Sequence, residues 1–232
     1  MKKTTLLILC LYCFLITKGE NGYELWLRYK PVSNKAQLAS YRENITGIIT
    51  DGSSATMKIV REELYAGLSG LLQTKIDTNT SVPRNGAIIA GTPHTSLLIR
   101  NARLTTELKS AGEEGFVIIS KIINGKQCTL ISGNTEQGVL YGAFHFLRLL
   151  QTAQPIRQLH IISSPKIRLR MLDHWDNPDR TVERGYAGFS IWNWHTLPSY
   201  IDQRYIDYAR ANASIGINGV VITNVNANAV IL

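Results

Sequence analysis

The sequence predicts an α/β protein, on two observations. Segments with strand-like and helix-like apolar periodicity alternate from residue 22 to about residue 162, which is typical of one compact α/β domain. After the turn-forming stretch SSPK, residues 163–166, a strand, a polar loop, a helix and a second strand follow in order. We therefore predict an N-terminal α/β domain over residues 22–163 and a second unit over residues 166–232.

The first 19 residues have the pattern of a secretory signal peptide. Lys2 and Lys3 precede an apolar run over residues 6–16, which is too short to cross a bilayer, because a transmembrane helix requires roughly 20 apolar residues. We expect residues 1–19 to be removed on export to the periplasm or the extracellular space, and we expect no membrane span. Cys128 then remains as the single cysteine, and its apolar surroundings predict that it fills the core.

The first half of the N-terminal domain contains three predicted elements. Residues 22–29, GYELWLRY, alternate in polarity and predict a half-buried strand. Residues 56–75 place their large apolar side chains on one helical stripe, which predicts an amphipathic helix. Residues 86–93, GAIIAGTP, predict a short buried strand that ends at glycine and proline.

The second half of this domain contains a hairpin and a helix. Asn124 and Gly125 separate the apolar runs GFVIIS and KQCTLIS, and this dipeptide favours a tight β-turn. Residues 134–151 then repeat apolar side chains at helical spacing, with Asn134 as the expected N-cap.

The second unit follows a strand–loop–helix–strand order. IRLRML at residues 167–172 predicts a strand, residues 199–218 a helix ended by Gly216, and GVVITNVNA at residues 219–227 a buried strand. Polar residues follow each strand, as in (β/α)8 barrels, whose sites lie at the carboxyl ends of the strands. Such a barrel requires roughly 200 residues or more, so these residues form either part of a barrel or a smaller unit.

The charge pattern does not favour nucleic-acid binding. The formal net charge is +8, but the basic residues are dispersed along the chain. The chain contains no HExxH, GxSxG or GxxxxGK[ST] motif. His174 and His195 lie near carboxylates without the tight spacing of a metal site, so we expect neither a metal nor a cofactor.

Residues 174–194, HWDNPDRTVERGYAGFSIWNW, combine three tryptophans with carboxylates and arginines. A sugar ring has an apolar C–H face and a polar hydroxyl edge, so a sugar site combines aromatic faces with acceptors and donors around its rim. An acidic sugar also requires a guanidinium. The alternative, which carries similar weight, is a buried network of ion pairs and aromatic rings that holds this loop.

The segment RMLDHWDNPDRTVERGYAGFSI at residues 170–191 closely resembles the signature of glycoside hydrolase family 67, the xylan α-glucuronidases. GYELWLRY resembles the start of that family, GVLYGAFHFLRLLQ its last N-domain helix, and YARANASIGINGVVITNVNA its second barrel strand. The resemblance implies an N-terminal α/β domain followed by the start of a (β/α)8 barrel, truncated here after its second strand.

The implied activity is removal of 4-O-methyl-D-glucuronic acid from glucuronoxylan-derived xylo-oligosaccharides, with inversion and without a cofactor. The catalytic carboxylates of the family lie on later barrel strands, so no catalytic residue is assigned in this chain. The resemblance also implies a homodimer for the complete enzyme. A secreted non-catalytic carbohydrate-binding or interaction module is the alternative.

The resemblance implies binding roles at five positions. Trp175 is the candidate for packing on the uronic sugar. Glu183 and Arg184 shape or brace the pocket, and side chains this close in an extended segment point in opposite directions. Asn224 and Val225, at the end of the second barrel strand, are expected to line the same pocket.

Overall fold

The computed structural model of the chain describes residues 20–78 and 81–222. The predicted signal peptide, residues 1–19, lies outside the described residues, and so do Asn224 and Val225. Within the described residues, no helix combines the length and the apolar character needed to cross a membrane.

A mixed five-stranded sheet forms the centre of the N-terminal part. Its strands are β1 (Gly47–Thr50), β2 (Ala87–Gly91), β3 (Phe116–Ile123), β4 (Lys126–Gly133) and β5 (His160–Ser163). Their order across the sheet is β1-β2-β4-β3-β5, with β1, β2 and β4 parallel and β3 antiparallel to both of its neighbours. The predicted hairpin is confirmed, since Asn124 and Gly125 both have positive φ between β3 and β4.

Helices cover both faces of this sheet. They are α1 (Lys35–Asn44), α2 (Ala55–Leu72), α3 (Leu97–Asn101), α4 (Thr105–Ala111) and α5 (Glu136–Gln151). Successive strand residues point to opposite faces, so Ile48 and Ile88 join the core beneath α2 and α5, whereas Ile49 and Ile89 join the core beneath α3 and α4. Cys128 is buried in this second core, as predicted.

The N-cap of α5 differs from the prediction by one residue. The Thr135 side chain accepts the hydrogen bond from the Gly138 amide. Asn134 instead donates to the carbonyl oxygens of Leu108 and Gly112, and so fixes the end of α4. Both side chains satisfy backbone groups at helix ends, and sequence pattern alone does not separate the two roles.

The predicted strand at residues 22–29 is wrong. Leu25–Arg28 form a 3₁₀ helix, and the amides of Leu25 and Leu27 bond to carbonyls three residues earlier. Leu27 and Tyr29 enter the core, while Tyr23, Leu25 and Trp26 remain substantially exposed. The Trp26 carbonyl accepts a hydrogen bond from the Gln151 side chain of α5, so this segment lies against a helix and not against a sheet edge.

The second part contains β6 (Met171–Asp173), α6 (Gln203–Ser214) and β7 (Gly219–Val221). β6 and β7 pair in parallel, and Gly216 adopts positive φ after α6, as expected for a terminator. The predicted strand at residues 167–172 begins later, because Arg170 turns its guanidinium back to the carbonyls of Ile167 and Gly216.

Ion pairs and hydrogen bonds join the two parts. Arg170 pairs with Glu114, and Arg210 of α6 pairs with the buried Glu63 of α2. The indole nitrogen of Trp26 donates to the Ser214 hydroxyl at 2.7 Å. α6 is therefore attached directly to the N-terminal part, and it positions the loop that precedes it.

Candidate functional site

The site loop, residues 174–202, connects β6 to α6 and folds back on itself. The His174 amide donates to the carbonyl of Val221 in β7 at 2.8 Å, which anchors the start of the loop to the sheet. The Glu183 amide donates to the Trp175 carbonyl at 2.6 Å, and isolated bridges pair Asp176 with Val182 and Thr181 with Phe189. The loop thus has its own backbone ladder, which restricts its conformations.

Four rings form an aromatic cluster between the loop and α6. The Trp192 centroid lies 4.8 Å from that of Tyr205 and 5.4 Å from that of Tyr208, and the His174 ring contacts Trp192 edge-on at 5.9 Å. Tyr205 and Tyr208 are three residues apart and share a face of α6. The Tyr205 hydroxyl also accepts a hydrogen bond from the Asn193 amide at 2.8 Å. This cluster attaches the loop to the helix.

A polar chain runs beside these rings. His174 Nε2 lies 2.6 Å from the Tyr208 hydroxyl, and His174 Nδ1 lies 3.6 Å from a carboxylate oxygen of the buried Asp176. Burial raises the pKa of the Tyr208 hydroxyl, which therefore keeps its proton at neutral pH. With an Nδ1 proton directed at Asp176, Nε2 is free to accept the hydrogen bond from Tyr208.

Trp175 is held at its backbone while its side chain is 52% exposed. The residues on either side of it face inward, with Asp176 buried and His174 partly buried. The loop therefore presents Trp175 outward from a fixed frame, which suits a ring that is to pack on a ligand.

Glu183 and Arg184 lie in a turn and not in an extended segment. Glu183 has φ of 56°, so the chain turns at this point, and its carbonyl accepts a hydrogen bond from the Asn177 side chain at 2.6 Å. A hydrogen bond to Glu183 raises the pKa of the exposed Tyr186 hydroxyl. Arg184 is exposed at the turn. Glu183 consequently braces the loop through its backbone.

Asp179 also has a structural contact. Its carboxylate accepts hydrogen bonds from the Thr181 hydroxyl and amide, at 2.7 and 2.9 Å, and these bonds lower its pKa. A lowered pKa keeps the group ionised, which is unsuitable for a general acid at neutral pH.

Three N–H groups in the loop are buried without a hydrogen-bond acceptor among residues 20–78 and 81–222. They are Arg180 Nε, Trp192 Nε1 and Trp194 Nε1. An unpaired buried donor costs about 1–3 kcal/mol.

The rear of the aromatic cluster borders a cavity of about 430 Å³ between α5, α6 and β7. Trp192, Tyr205 and Tyr208 line it, together with Asn212 and Asn218, and Trp175 does not. Across the described part of the chain, no group of three or more His, Cys, Asp or Glu side chains is placed to hold a metal ion.

Sequence reasoning did not identify Tyr205 and Tyr208 as part of the site. The sequence predicts only a helix over residues 199–218, and it points to His174 only as a candidate metal ligand. The three-residue spacing of the two tyrosines, directly after an aromatic loop, is the signal that could have found them.

Comparison with known proteins establishes the family. Residues 25–146 match the Glycosyl hydrolase family 67 N-terminus, and residues 149–232 match the Glycosyl hydrolase family 67 middle domain. The chain belongs to glycosyl hydrolase family 67. This confirms the resemblance drawn from the loop signature.

Curated relatives of this family 67 chain are much longer than it is. The chain is 34% identical to the probable alpha-glucuronidase A of Aspergillus oryzae and 30% identical to that of Aspergillus niger. Each match covers 97% of this chain and 26% of the relative. The chain thus spans about a quarter of the length of these relatives.

Two solved structures share the fold at low sequence identity. A family GH115 4-O-methyl-alpha-glucuronidase with specificity for decorated arabinogalactans matches with a TM-score of 0.55 and 15% identity, covering 78% of this chain and 25% of that one. A GH138 enzyme that targets pectin rhamnogalacturonan II matches with a TM-score of 0.50 and 17% identity, covering 77% and 24%. These matches support the mixed α/β architecture.

Proposed function

We propose that this family 67 chain is the N-terminal part of an α-glucuronidase that removes 4-O-methyl-D-glucuronic acid from xylo-oligosaccharides. The observation that carries the proposal is the site loop, in which the family signature presents Trp175 on a braced frame. A tryptophan face covers the C–H side of a sugar ring, and nearby arginines supply donors for a uronic carboxylate.

We propose further that β6, α6 and β7 begin a (β/α)8 barrel, with the N-terminal α/β domain over residues 22–163 and the barrel from residue 166. Two observations support this assignment. β6 and β7 are parallel and are connected through a helix, and the site loop follows the carboxyl end of β6, where barrel sites lie. Met171, Leu172 and Val221 are exposed, which suits a sheet that further strands cover.

The proposed reaction proceeds with inversion. One carboxylic acid protonates the leaving oxygen while a carboxylate about 6.5–9.5 Å away activates a water molecule. We place both groups on later barrel strands, so this chain supplies substrate-binding side chains. In this proposal Trp175 packs on the uronic sugar, Glu183 and Arg184 shape the loop, and Asn224 and Val225 line the same pocket.

The predicted signal peptide at residues 1–19 supports an exported protein. We propose export to the periplasm or the extracellular space, where glucuronoxylan fragments are encountered, and a homodimeric complete enzyme.

The test begins with the genomic DNA beyond the codon for Leu232. The full reading frame is expressed, incubated with aldouronic oligosaccharides and assayed for released 4-O-methylglucuronic acid. The anomer that forms first is identified by NMR. We expect release of the β-anomer from the α-linked substrate, as inversion requires. Absence of release by the complete frame would reject the proposed activity.

The 232-residue chain alone is the matched control. We expect it to be inactive, because each acid–base group contributes about 10²–10⁴-fold to the rate. Turnover at ordinary enzyme rates by this chain would refute the placement of the carboxylates on later strands. A reading frame that ends at Leu232, with sugar binding and no cleavage, would favour a non-catalytic carbohydrate-binding module.

A further inference from the structure

The two residues that flank Trp175 are fixed, although Trp175 itself is exposed. The His174 side chain is 21% exposed and that of Asp176 is 5% exposed, whereas Trp175 is 52% exposed. This alternation is typical of an extended segment, in which successive side chains point to opposite sides. The histidine clamp, defined here as His174, Asp176 and Tyr208, therefore lies directly behind Trp175.

The clamp connects the loop to α6 through side chains of two different elements. Tyr208 belongs to α6, 34 residues after His174, and its hydroxyl lies 2.6 Å from His174 Nε2. The Tyr208 and His174 rings also contact each other edge-on, with centroids 5.4 Å apart. α6 is in turn held to the N-terminal part through Arg210 and Glu63. The backbone next to Trp175 is thereby attached to α6, and through α6 to the N-terminal part.

We propose that Tyr208 and His174 are positioning residues that set the orientation of Trp175 towards the sugar. The inference rests on the proposed function for the identity of the ligand. The positioning role itself is argued from the hydrogen bond and the ring contact between His174 and Tyr208, and from the burial of Asp176. A binding side chain is effective only when neighbouring contacts restrict its orientation.

The hydrogen-bond roles in the clamp depend on the tautomer of His174. With the proton on Nδ1, 3.6 Å from the Asp176 carboxylate, His174 Nε2 accepts the hydrogen bond from the Tyr208 hydroxyl. This arrangement fixes the plane of the imidazole ring, and with it the backbone that leads into Trp175. Tyr208→Phe preserves the ring and removes only the hydroxyl.

The test measures the mobility of Trp175 in the 232-residue chain by ¹⁵N NMR relaxation. In the unchanged chain we expect an order parameter of about 0.85 for the backbone amide of Trp175, the value of rigid backbone. Tyr208→Phe and His174→Ala should lower it below about 0.6. His174→Gln should restore rigidity, because the glutamine amide can present an acceptor near the position of Nε2. Tyr65→Phe, the same chemical change at an exposed tyrosine of α2, is the control.

The proposal is overturned if Tyr208→Phe leaves Trp175 as rigid as Tyr65→Phe does. It is overturned equally if the melting temperature falls while Trp175 stays ordered, since that is the result of a purely structural contact.

A second arm uses the complete reading frame. There Tyr208→Phe should lower kcat/KM about fivefold through KM, the ratio that one ordinary hydrogen bond represents. In a Trp175→Ala background the same change should cost less than about twofold, because coupled residues are not additive. If the losses in kcat/KM from Tyr208→Phe and Trp175→Ala are additive, Tyr208 does not act through Trp175. If mobility responds as expected and the complete frame releases no sugar, the clamp stands and the proposed function fails.

Discussion

Glu63→Gln tests the contact that joins the two parts of the molecule. Glu63 is buried in α2, and its carboxylate accepts hydrogen bonds from Arg210 Nε, from Arg210 Nη2 at 3.0 Å and from the Tyr29 hydroxyl at 3.0 Å. Its carboxylate raises the pKa of Arg210, chiefly through their hydrogen bond. Glutamine keeps the volume of the side chain and removes the charge.

The expected loss follows from the burial of each partner. Breaking a fully buried ion pair costs about 3–5 kcal/mol. The Arg210 side chain is 31% exposed, so solvent compensates part of its charge, and glutamine retains one acceptor. We therefore expect a loss of about 2 kcal/mol in the free energy of unfolding. For a chain of this size that lowers Tm by about 4–8 °C.

Thermal unfolding followed by circular dichroism measures this loss. Glu62→Gln is the control, because Glu62 is adjacent in sequence, is 63% exposed and lies 3.9 Å from Lys58 in an i,i+4 pair. Its effect should stay within about 0.5 kcal/mol. Equal shifts for the two variants would refute the assignment of the junction to Glu63. Tyr29→Phe removes one hydrogen bond to the charged Glu63 carboxylate, and we expect it to cost about 1.5–3 kcal/mol.

Three further predictions concern other sites. Trp175→Ala in the complete enzyme should lower kcat/KM by about thirtyfold or more. Nearly unchanged kinetics per folded molecule together with reduced stability would show that Trp175 only packs against the rest of the protein. Burial, with a smaller contribution from Arg148, lowers the pKa of His145. The contribution of His145 to stability is therefore present above its ordinary pKa of 6.5 and is lost as the pH falls through the lowered value. His145→Gln should flatten the acid side of a plot of Tm against pH, and an unchanged slope would contradict this. Gly138→Ala should destabilise the chain by about 1–2 kcal/mol, because the added Cβ would collide with the Gly115 carbonyl oxygen. The cost of this collision outweighs the gain in helix propensity of about 1 kcal/mol. A higher Tm would refute the close approach of the two backbones.

Local signals in the sequence predicted much of the N-terminal part. Asn124 and Gly125 specify a turn by their tolerance of positive φ, and the apolar stripe of α2 specifies a helix. α1 was not predicted, because it buries only Tyr41 and therefore lacks a strong apolar stripe. The error at residues 22–29 has a related cause, since alternation over a few residues does not reveal whether a partner strand exists.

The site was predicted as a segment and not as a contact network. Aromatic and charged composition marks residues 174–194, and the structure places Trp175 outward within them. The contact between His174 and Tyr208 joins residues 34 positions apart through the packing of α6, and a one-dimensional pattern carries no information on that packing. Glu183 shows the same limit, because its turn depends on the ladder formed with Trp175.

The 3₁₀ segment near the N-terminus has a consequence for biosynthesis. Tyr23 bonds to Asp207 and Trp26 bonds to Ser214, partners separated by 184 and 188 positions along the chain. A ribosome adds about 5–20 residues per second, so the first-made described residues wait roughly 10–40 s for these partners to be synthesised. During that interval Leu27 and Tyr29 lack the cover of α6. A chaperone that binds nascent apolar chain would find a target there during that interval.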